Sequence, residues 1–324
     1  MIVDMKKLLI LLLFIPVFIG SCSKDDDSDT GHGKLIIPQF GTANLVSKNP
    51  FTGILIIAPA EGDGAVYYGN YNAKGQISPV HALYTVSNGS IVHDNIPVRL
   101  PAGQYNLVYW GMPKNNPADS TYSDAAVIEP VYIVGNDMNN MFYGLRKHSA
   151  PDTTYYPSFD YVYCLQPTDI GKDQLNASLQ RATAGIKVTL TDKNGGQINE
   201  NIAFVRILVG NIANTLNYFT GKATDFTKTV SFPLTKSEDG KEMSANSTVM
   251  VFPSAPNPSI TLILTLLDGK EKIYRQSLQN TLDAGTRLTL TASIGDIFVE
   301  ETGSNGFEVT NWNEKSETIN FGDN

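Results

Sequence analysis

The sequence predicts an all-β protein made of two β-sandwich domains in tandem. Charged residues make up only 17% of the chain and aromatic residues 10%, whereas long amphipathic helices are usually rich in Glu, Lys, Arg and Ala. Short apolar runs recur along the chain, and turn residues bound them; the 324 residues include 27 Gly and 17 Pro. Such runs are typical of strands that alternate with tight turns. No repeat of fixed period is present, which disfavours a solenoid or a propeller.

Seven strands are predicted in the first half of the chain. They cover Leu35–Phe40, Gly53–Ala58, Ala65–Tyr68, Ala82–Val86, Ser90–Val98, Gln104–Trp110 and Ala126–Val134. The fourth and fifth are separated by Asn88-Gly89, a pair that tolerates positive φ at both residues and therefore predicts a tight hairpin.

The second half repeats this pattern, most clearly at Gly185–Thr191. There the apolar residues Ile186, Val188 and Leu190 alternate with polar residues, as expected for a half-buried strand. Asp268-Gly269 predicts another hairpin. The further predicted strands are Ala203–Val209, Thr227–Phe232, Ser247–Phe252, Ile260–Leu267, Lys272–Ser277, Thr286–Ile294 and Phe307–Trp312.

A polar segment over Gln166–Thr183 separates the two halves, and a short helix is predicted within it over Lys172–Gln180. We place the domain boundary near residue 175. Each half then has about 145 residues, which suits a β-sandwich. The predicted organisation is a lipoprotein signal peptide over 1–21, an acidic flexible tether over 22–34, an N-terminal β-sandwich over 35–174 and a C-terminal β-sandwich over 175–324.

The N-terminus predicts a secreted lipoprotein. Lys6 and Lys7 precede an apolar run over residues 8–20, which fits the hydrophobic region of a signal peptide and is too short to span a bilayer. The run ends in Ile19-Gly20-Ser21-Cys22, which resembles the lipobox of bacterial lipoproteins. This resemblance implies cleavage before Cys22 and attachment of lipid, palmitate included, to that cysteine. A plain secretory signal with a chance cysteine is the alternative.

The residues after Cys22 are polar and mostly acidic, and they predict a solvated tether. A calcium loop is the alternative, but the alternating ligands and turn glycine of an EF-hand are missing. The acidic run Asp25-Asp26-Asp27 resembles the signal that sends Bacteroidetes lipoproteins to the outer face of the outer membrane, which implies a surface-exposed location. The chain carries a net charge of −8, so it has no global field that attracts nucleic acid.

No motif in the sequence points to catalysis, and we predict a protein that is not an enzyme and that needs no cofactor or metal. The histidines show no spacing typical of a metal pair on a helix; they are His32, His81, His93 and His148. His93-Asp94 falls in a strand, where neighbouring side chains diverge, and Glu300-Glu301 is interpreted as a solvated edge. Cys164 is predicted to be a buried, unreactive thiol.

Aromatic residues crowd into one short stretch of the chain. Tyr155, Tyr156 and Phe159 form a candidate platform for a glycan or for a protein partner, because each ring offers a large, stiff and amphipathic face. The alternative is that Phe159, Tyr161 and Tyr163 line one strand and pack into the core.

Three segments carry a resemblance to a known family. Val98–Gly111 contains Pro101-Ala102-Gly103-Gln104-Tyr105, a turn that leads into a strand with Trp110 near its end. Leu282–Leu290 repeats an Ala-Gly turn before a strand, and Phe307–Trp312 ends in a second tryptophan. This pattern resembles the Bacteroidales type V pilus family, the fimbrillin-like stalk, anchor and accessory subunits of a fimbrium.

The resemblance implies two transthyretin-like β-sandwich domains, with other fimbrial subunits as partners and a role in cell adhesion. It also implies assembly by donor-strand pairing, in which one subunit supplies a β-strand to a groove in the next. In stalk subunits of this family a protease cuts after a basic residue in the N-terminal region. Here only lysines flank the first predicted strand, Lys24 and Lys34 before it and Lys48 after it.

An uncut first strand would fill its own groove and keep the protein joined to its lipid, which favours an anchor or accessory subunit over a stalk subunit. Asn313–Asn324 is either a donor strand or a frayed tail. The leading hypothesis is therefore a fimbrial anchor or accessory lipoprotein. The alternatives are a carbohydrate-binding lipoprotein of the outer membrane that uses the tyrosine-rich stretch, and a hydrolase with an unrecognised site.

Overall fold

A computed structural model describes residues 33–46, 49–114, 124–245, 247–294 and 315–320. These residues form 24 β-strands and a single turn of 3-10 helix over Met138–Asn140, and they contain no α-helix. The predicted all-β fold class is therefore confirmed. Within the described residues, no helix is long and apolar enough to cross a membrane.

The first half of the chain forms thirteen strands, seven of which make one sheet. The strands are β1 (Leu35–Ile36), β2 (Phe40–Leu45), β3 (Gly53–Glu61), β4 (Asn70–Tyr71), β5 (Ile77–Ser78), β6 (Ala82–Ser87), β7 (Ser90–Ile96), β8 (Leu100–Pro101), β9 (Gly103–Pro113), β10 (Val127–Ile128), β11 (Phe142–Leu145), β12 (Val162–Ile170) and β13 (Leu175–Arg181). The seven-stranded sheet has the order β2-β13-β12-β9-β3-β6-β7.

The seven-stranded sheet is buried on both faces of its central strands. On β9, Leu107 and Tyr109 point into one core, while Val108 and Trp110 point into a second core. The first core also contains Ala43 from β2, so residues from the end of the sheet close over it. The sheet therefore curls into a sandwich around the first core and packs its outer face on the rest of the fold.

The second half forms eleven strands, most of which belong to one sheet. They are β14 (Ala184–Asp192), β15 (Ile202–Ile212), β16 (Thr215–Asn217), β17 (Ala223–Thr224), β18 (Lys228–Lys236), β19 (Glu242–Ser244), β20 (Val249–Val251), β21 (Ser259–Leu266), β22 (Glu271–Ser277), β23 (Arg287–Ile294) and β24 (Lys315–Asn320). The nine-stranded sheet has the order β22-β21-β15-β18-β19-β14-β23-β24, and β20 pairs with β14 off that path.

The nine-stranded sheet encloses the second core. Strand β18 pairs with β15 along most of its length and with β19 at its end, so it links two arms of the sheet. Apolar residues of both arms, such as Val188 on β14 and Ile207 on β15, belong to one buried cluster. The predicted alternation along β14 is confirmed, because Ile186, Val188 and Leu190 are buried while the intervening side chains are less so.

A four-stranded sheet joins segments from both halves of the chain in the order β10-β11-β16-β17. Lys34–Asn324 accordingly forms one compact unit. The seven-stranded sheet contributes its last strand up to Arg181, and the nine-stranded sheet begins at Ala184. The division into two domains near residue 175 stays a prediction.

The two predicted hairpin turns are confirmed. Asn88 and Gly89 both have positive φ, 50° and 78°, and they connect β6 to β7. Gly269, between β21 and β22, has a φ of 81°. These left-handed conformations are the ones that Asn and Gly adopt at least cost, which is why the sequence signal was reliable.

Several predicted elements differ from the structure. The helix over Lys172–Gln180 is wrong, because that segment contains the strand β13, whose residues Leu175, Ala177 and Leu179 are buried with a period of two. The single strand over Leu35–Phe40 is instead two short strands, β1 and β2, separated by a segment that contains Pro38, a residue without a backbone donor.

The strand predicted over Ala126–Val134 is limited to Val127–Ile128, and Pro130 lies two residues after its end. Ala65–Tyr68 contributes isolated bridges, Ala60 with Tyr67 and Val66 with Asp137, and is not a continuous strand. The strand predicted over Phe307–Trp312 lies outside the described residues.

Candidate functional site

Strand β2 occupies a position that has backbone partners on both sides. On one side it runs parallel to β13, with Ala43 opposite Ala177 and Leu45 opposite Leu179. On the other side, the N–H of Ala43 donates to the carbonyl of Gly89 at 3.0 Å. Ala43 is fully buried, and the ring of Phe40 lies 5.6 Å from that of Tyr84. The first strands of the chain therefore fill a groove and cover the first core.

Strand β24 lies at the edge of the nine-stranded sheet. It pairs in parallel with β23, from Leu288 opposite Lys315 to Ser293 opposite Asn320. Among the described strands β23 is the single partner of β24. The other side of β23 pairs with β14. Within the described residues β24 is bonded along one side only, so the other described strands keep their pairing when it leaves. Parallel pairing is slightly less stable per residue than antiparallel pairing.

The three residues of the predicted platform are partly exposed but contact different neighbours. The ring of Tyr155 lies 5.9 Å from Lys228 Nζ, and the ring of Tyr156 lies 3.7 Å from that of His148. Phe159 is 37% exposed. That these rings form one binding surface stays a prediction.

Tyr161 and Tyr163 are buried and do not share one strand with Phe159. Tyr161 is 2% exposed and precedes β12, whereas Tyr163 lies within it. Their rings pack on Trp110, with centroids 5.9 Å and 5.1 Å away, so the interpretation that they pack into the core applies to these two residues and not to Phe159.

Trp110 is the centre of a buried aromatic cluster that joins segments of both halves. Its side chain is 1% exposed, and its Nε1–H donates to the carbonyl of Tyr218 at 2.9 Å. Further rings in contact with it belong to Tyr143 and Tyr218, at centroid distances of 4.8 Å and 5.8 Å. Burial raises the pKa of both tyrosines well above the ordinary value, so the cluster stays uncharged at physiological pH.

Cys164 is a buried free cysteine, as predicted. Its thiol faces the first core, and burial raises its pKa, which keeps it protonated and weakly nucleophilic.

We expect Cys164 to react with a thiol reagent in a Cys22→Ser background at least about tenfold more slowly in the native protein than in denaturant. The protein is labelled with 5,5′-dithiobis(2-nitrobenzoic acid), and absorbance at 412 nm gives the ratio of the reaction rates in denaturant and in buffer. Equal rates in buffer and in denaturant would contradict the burial of the thiol.

Several sequence-predicted residues lie outside the described residues: Cys22, Lys24, Lys48, Glu300 and Glu301. His93 lies exposed on the edge strand β7. Within the described ranges, His, Cys, Asp and Glu side chains form no group of three that could hold a metal ion. The absence of a cofactor stays a prediction.

Sequence reasoning missed the true extent of β2. The predicted strand stops at Phe40, where the observed one begins, and β2 ends at Leu45. The apolar pair Leu45-Val46 before Asn49-Pro50 was the available signal, since a strand followed by a turn has this form.

The sequence matches the model of one protein family. The model of the fimbrillin-A associated anchor proteins Mfa1 and Mfa2 matches residues 66–318. No curated protein matches the sequence.

Solved structures of low sequence identity match about three quarters of the chain. The fimbrial anchor protein Mfa2 from Porphyromonas gingivalis is 13% identical, with a TM-score of 0.44, and the match covers 75% of this chain and 83% of that protein. A candidate adhesin from Bacteroides ovatus is 11% identical, with a TM-score of 0.45 and coverage of 73% and 81%. A candidate cell adhesion protein from Bacteroides uniformis is 17% identical, with a TM-score of 0.41 and coverage of 79% and 92%.

Proposed function

We propose that this chain, which belongs to the family of fimbrillin-A associated anchor proteins Mfa1 and Mfa2, is a non-catalytic lipoprotein that fixes a fimbria to the outer membrane. The family supports a role in fimbrial anchoring and adhesion. The lipid attachment at Cys22 and the direction of strand exchange are parts of this proposal.

The observation that carries the proposal is the contrast between the first and last strands. Along the sequence, strands β1 and β2 come after Cys22 and before the rest of the fold. Strand β2 has backbone hydrogen-bond partners on both sides. Proteolysis after Lys34 or Lys48 would separate the lipid from the fold. An anchor therefore keeps these strands, and its own groove stays filled.

The partner contact then uses the other end of the chain. Strand β24 lies at the edge of the nine-stranded sheet and, among the described strands, pairs with β23 alone. We propose that it leaves β23 and adds to the groove of a neighbouring fimbrial subunit, where ladder hydrogen bonds provide affinity and alternate side chains fix the register. Asn313–Asn324 is thus assigned as the donor segment.

The lipid anchor is tested by the variant Cys22→Ala in the cells that produce the protein. We expect the filaments to be shed into the medium, because a protein without the lipid chains loses the buried methylene groups that hold it in the bilayer. Immuno-electron microscopy of cells, with immunoblotting of the medium, measures the loss.

The matched control is Ser23→Ala, which changes the next residue and leaves the lipid site intact; its filaments should stay on the cells. Two observations together would reject the anchor role. One is label spread evenly over cells of the Cys22→Ala strain, and the other is an unchanged number and length of filaments in a strain that lacks the gene.

A further inference from the structure

An exposed apolar surface of the first half combines residues from strands β5 and β11 with residues from two loop segments. It consists of Val66, Ile77, Val131, Ile133, Val134 and Phe142, and we call it the apolar patch. Val131 is 73% exposed and Ile133 is 51% exposed, unusually high fractions for β-branched side chains in neighbouring positions. Clustered exposed apolar side chains mark an interaction site more often than scattered ones do.

The segment of Val134 lies close to the segments of Ile77 and Val66. An ideal Cβ at Gly69 would lie 2.7 Å from Val134 Cγ2 and 3.3 Å from Ile77 Cγ1, so both side chains crowd the same glycine. Gly69 has a φ of 82° and lacks the side chain that would push them apart. The N–H of Tyr67 also donates to the carbonyl of Asn136 at 2.8 Å, which ties the segment of Val66 to that of Val134.

The patch borders a preformed groove of about 590 Å³. Apolar side chains of the groove come from Pro130, Val131, Ile133, Met141 and Phe142. Its wall is held by the single turn of 3-10 helix, whose carbonyl at Asn139 accepts from Asn217 Nδ2 at 2.6 Å. The groove therefore needs no ordering of its own backbone before it binds, and little conformational entropy is lost there.

The charges of the groove have one sign. Of the nine residues that line it, Glu129 and Asp137 are carboxylates, and none is Lys, Arg or His. Asp137 uses its Oδ1 to accept from Asn139 N at 2.9 Å and thereby caps the turn. Acidic residues beside exposed apolar side chains favour a ligand that is apolar and cationic, and they disfavour an anionic lipid surface.

We propose that the apolar patch and its groove dock an extended segment of a partner protein in which apolar side chains are flanked by lysine or arginine. The apolar side chains would cover Val131, Ile133 and Phe142, and the cations would lie beside Glu129 and Asp137. This contact goes beyond the anchoring proposed above, because it uses neither Cys22 nor β24.

The test is photocrosslinking in the cells that produce the protein. The full chain carries p-benzoylphenylalanine in place of Val131, and a matched control carries it in place of Leu267, which is 69% exposed and lies outside the patch. After irradiation, mass spectrometry identifies the crosslinked segment. We expect a protein crosslink at position 131 that is absent at position 267, to a segment with at least two apolar residues and a flanking Lys or Arg.

Second-site variants then test the chemistry of the contact. With the crosslinker at position 131, we expect Ile133→Ser and Phe142→Ser together to lower the yield roughly tenfold through lost apolar burial. Glu129→Lys should lower it by roughly threefold to fivefold, an effect that grows at low salt.

Other results overturn the proposal. They are crosslinks at position 131 no stronger than at position 267, crosslinks confined to lipid, and crosslinks to a segment whose flanking charges are acidic. Each of these results leaves the filament shedding expected for Cys22→Ala unaffected, so a failure here is distinguishable from a failure of the anchoring role.

Discussion

Replacing Trp110 by alanine is expected to lower the free energy of unfolding by about 3–5 kcal/mol, the range for truncation of a large buried aromatic side chain. The substitution removes ring contacts with four tyrosines and leaves the carbonyl of Tyr218 without its indole donor. A loss of this size is a large fraction of the stability of an ordinary domain. Thermal and urea unfolding followed by circular dichroism measures the change.

Two variants separate the causes of this loss. Trp110→Phe keeps a ring in the cluster and removes the Nε1–H donor, so we expect a smaller loss of about 1–3 kcal/mol. Phe204→Ala removes an aromatic side chain that is 45% exposed, and it should cost less than about 1 kcal/mol. If Trp110→Ala and Phe204→Ala destabilise equally, the cluster around Trp110 does not join the two halves as described.

Deleting residues 315–324 is expected to abolish the capture of fimbrial subunits, because the proposed donor strand β24 is removed. Thr318→Pro is the subtler version, since proline cannot donate to the ladder and is excluded from the middle of a paired strand. We expect both variants to keep the melting temperature within a few degrees of the unaltered chain, because an edge strand can leave without unpairing the other described strands. Pull-down of subunits from dissociated fimbriae measures capture.

The control for this experiment locks the first strands in place. The Thr42 hydroxyl donates to Asn176 Oδ1 at 3.4 Å, so these two side chains meet on adjacent strands. We expect a disulfide to form between Thr42→Cys and Asn176→Cys. We expect the oxidised double variant to capture subunits normally. Loss of capture on oxidation, restored by a reductant, would show that β2 and not β24 is the strand that is exchanged.

The sequence by itself determined features that depend on local chemistry. Asn88-Gly89 and Asp268-Gly269 predicted hairpins because positive φ is a property of the residues themselves. Alternation along β14 predicted which side chains are buried, because a strand with a period of two has no other way to bury one row. The motifs around Pro101-Ala102-Gly103 led to the family that the sequence comparison then gave.

Only the tertiary structure decided how the strands are partnered. The segment Leu175–Arg181 lies in a polar stretch for which a helix is predicted, yet it is a strand. It is a strand because β2 and β12 supply backbone partners from distant parts of the sequence. The run Ala126–Val134 predicts a strand, yet most of its apolar residues are exposed. The pairing ends before Pro130, and no described strand covers these side chains. Local residues set turns and alternation, whereas the burial of a side chain depends on which distant segment packs against it, and one sequence window does not contain that segment.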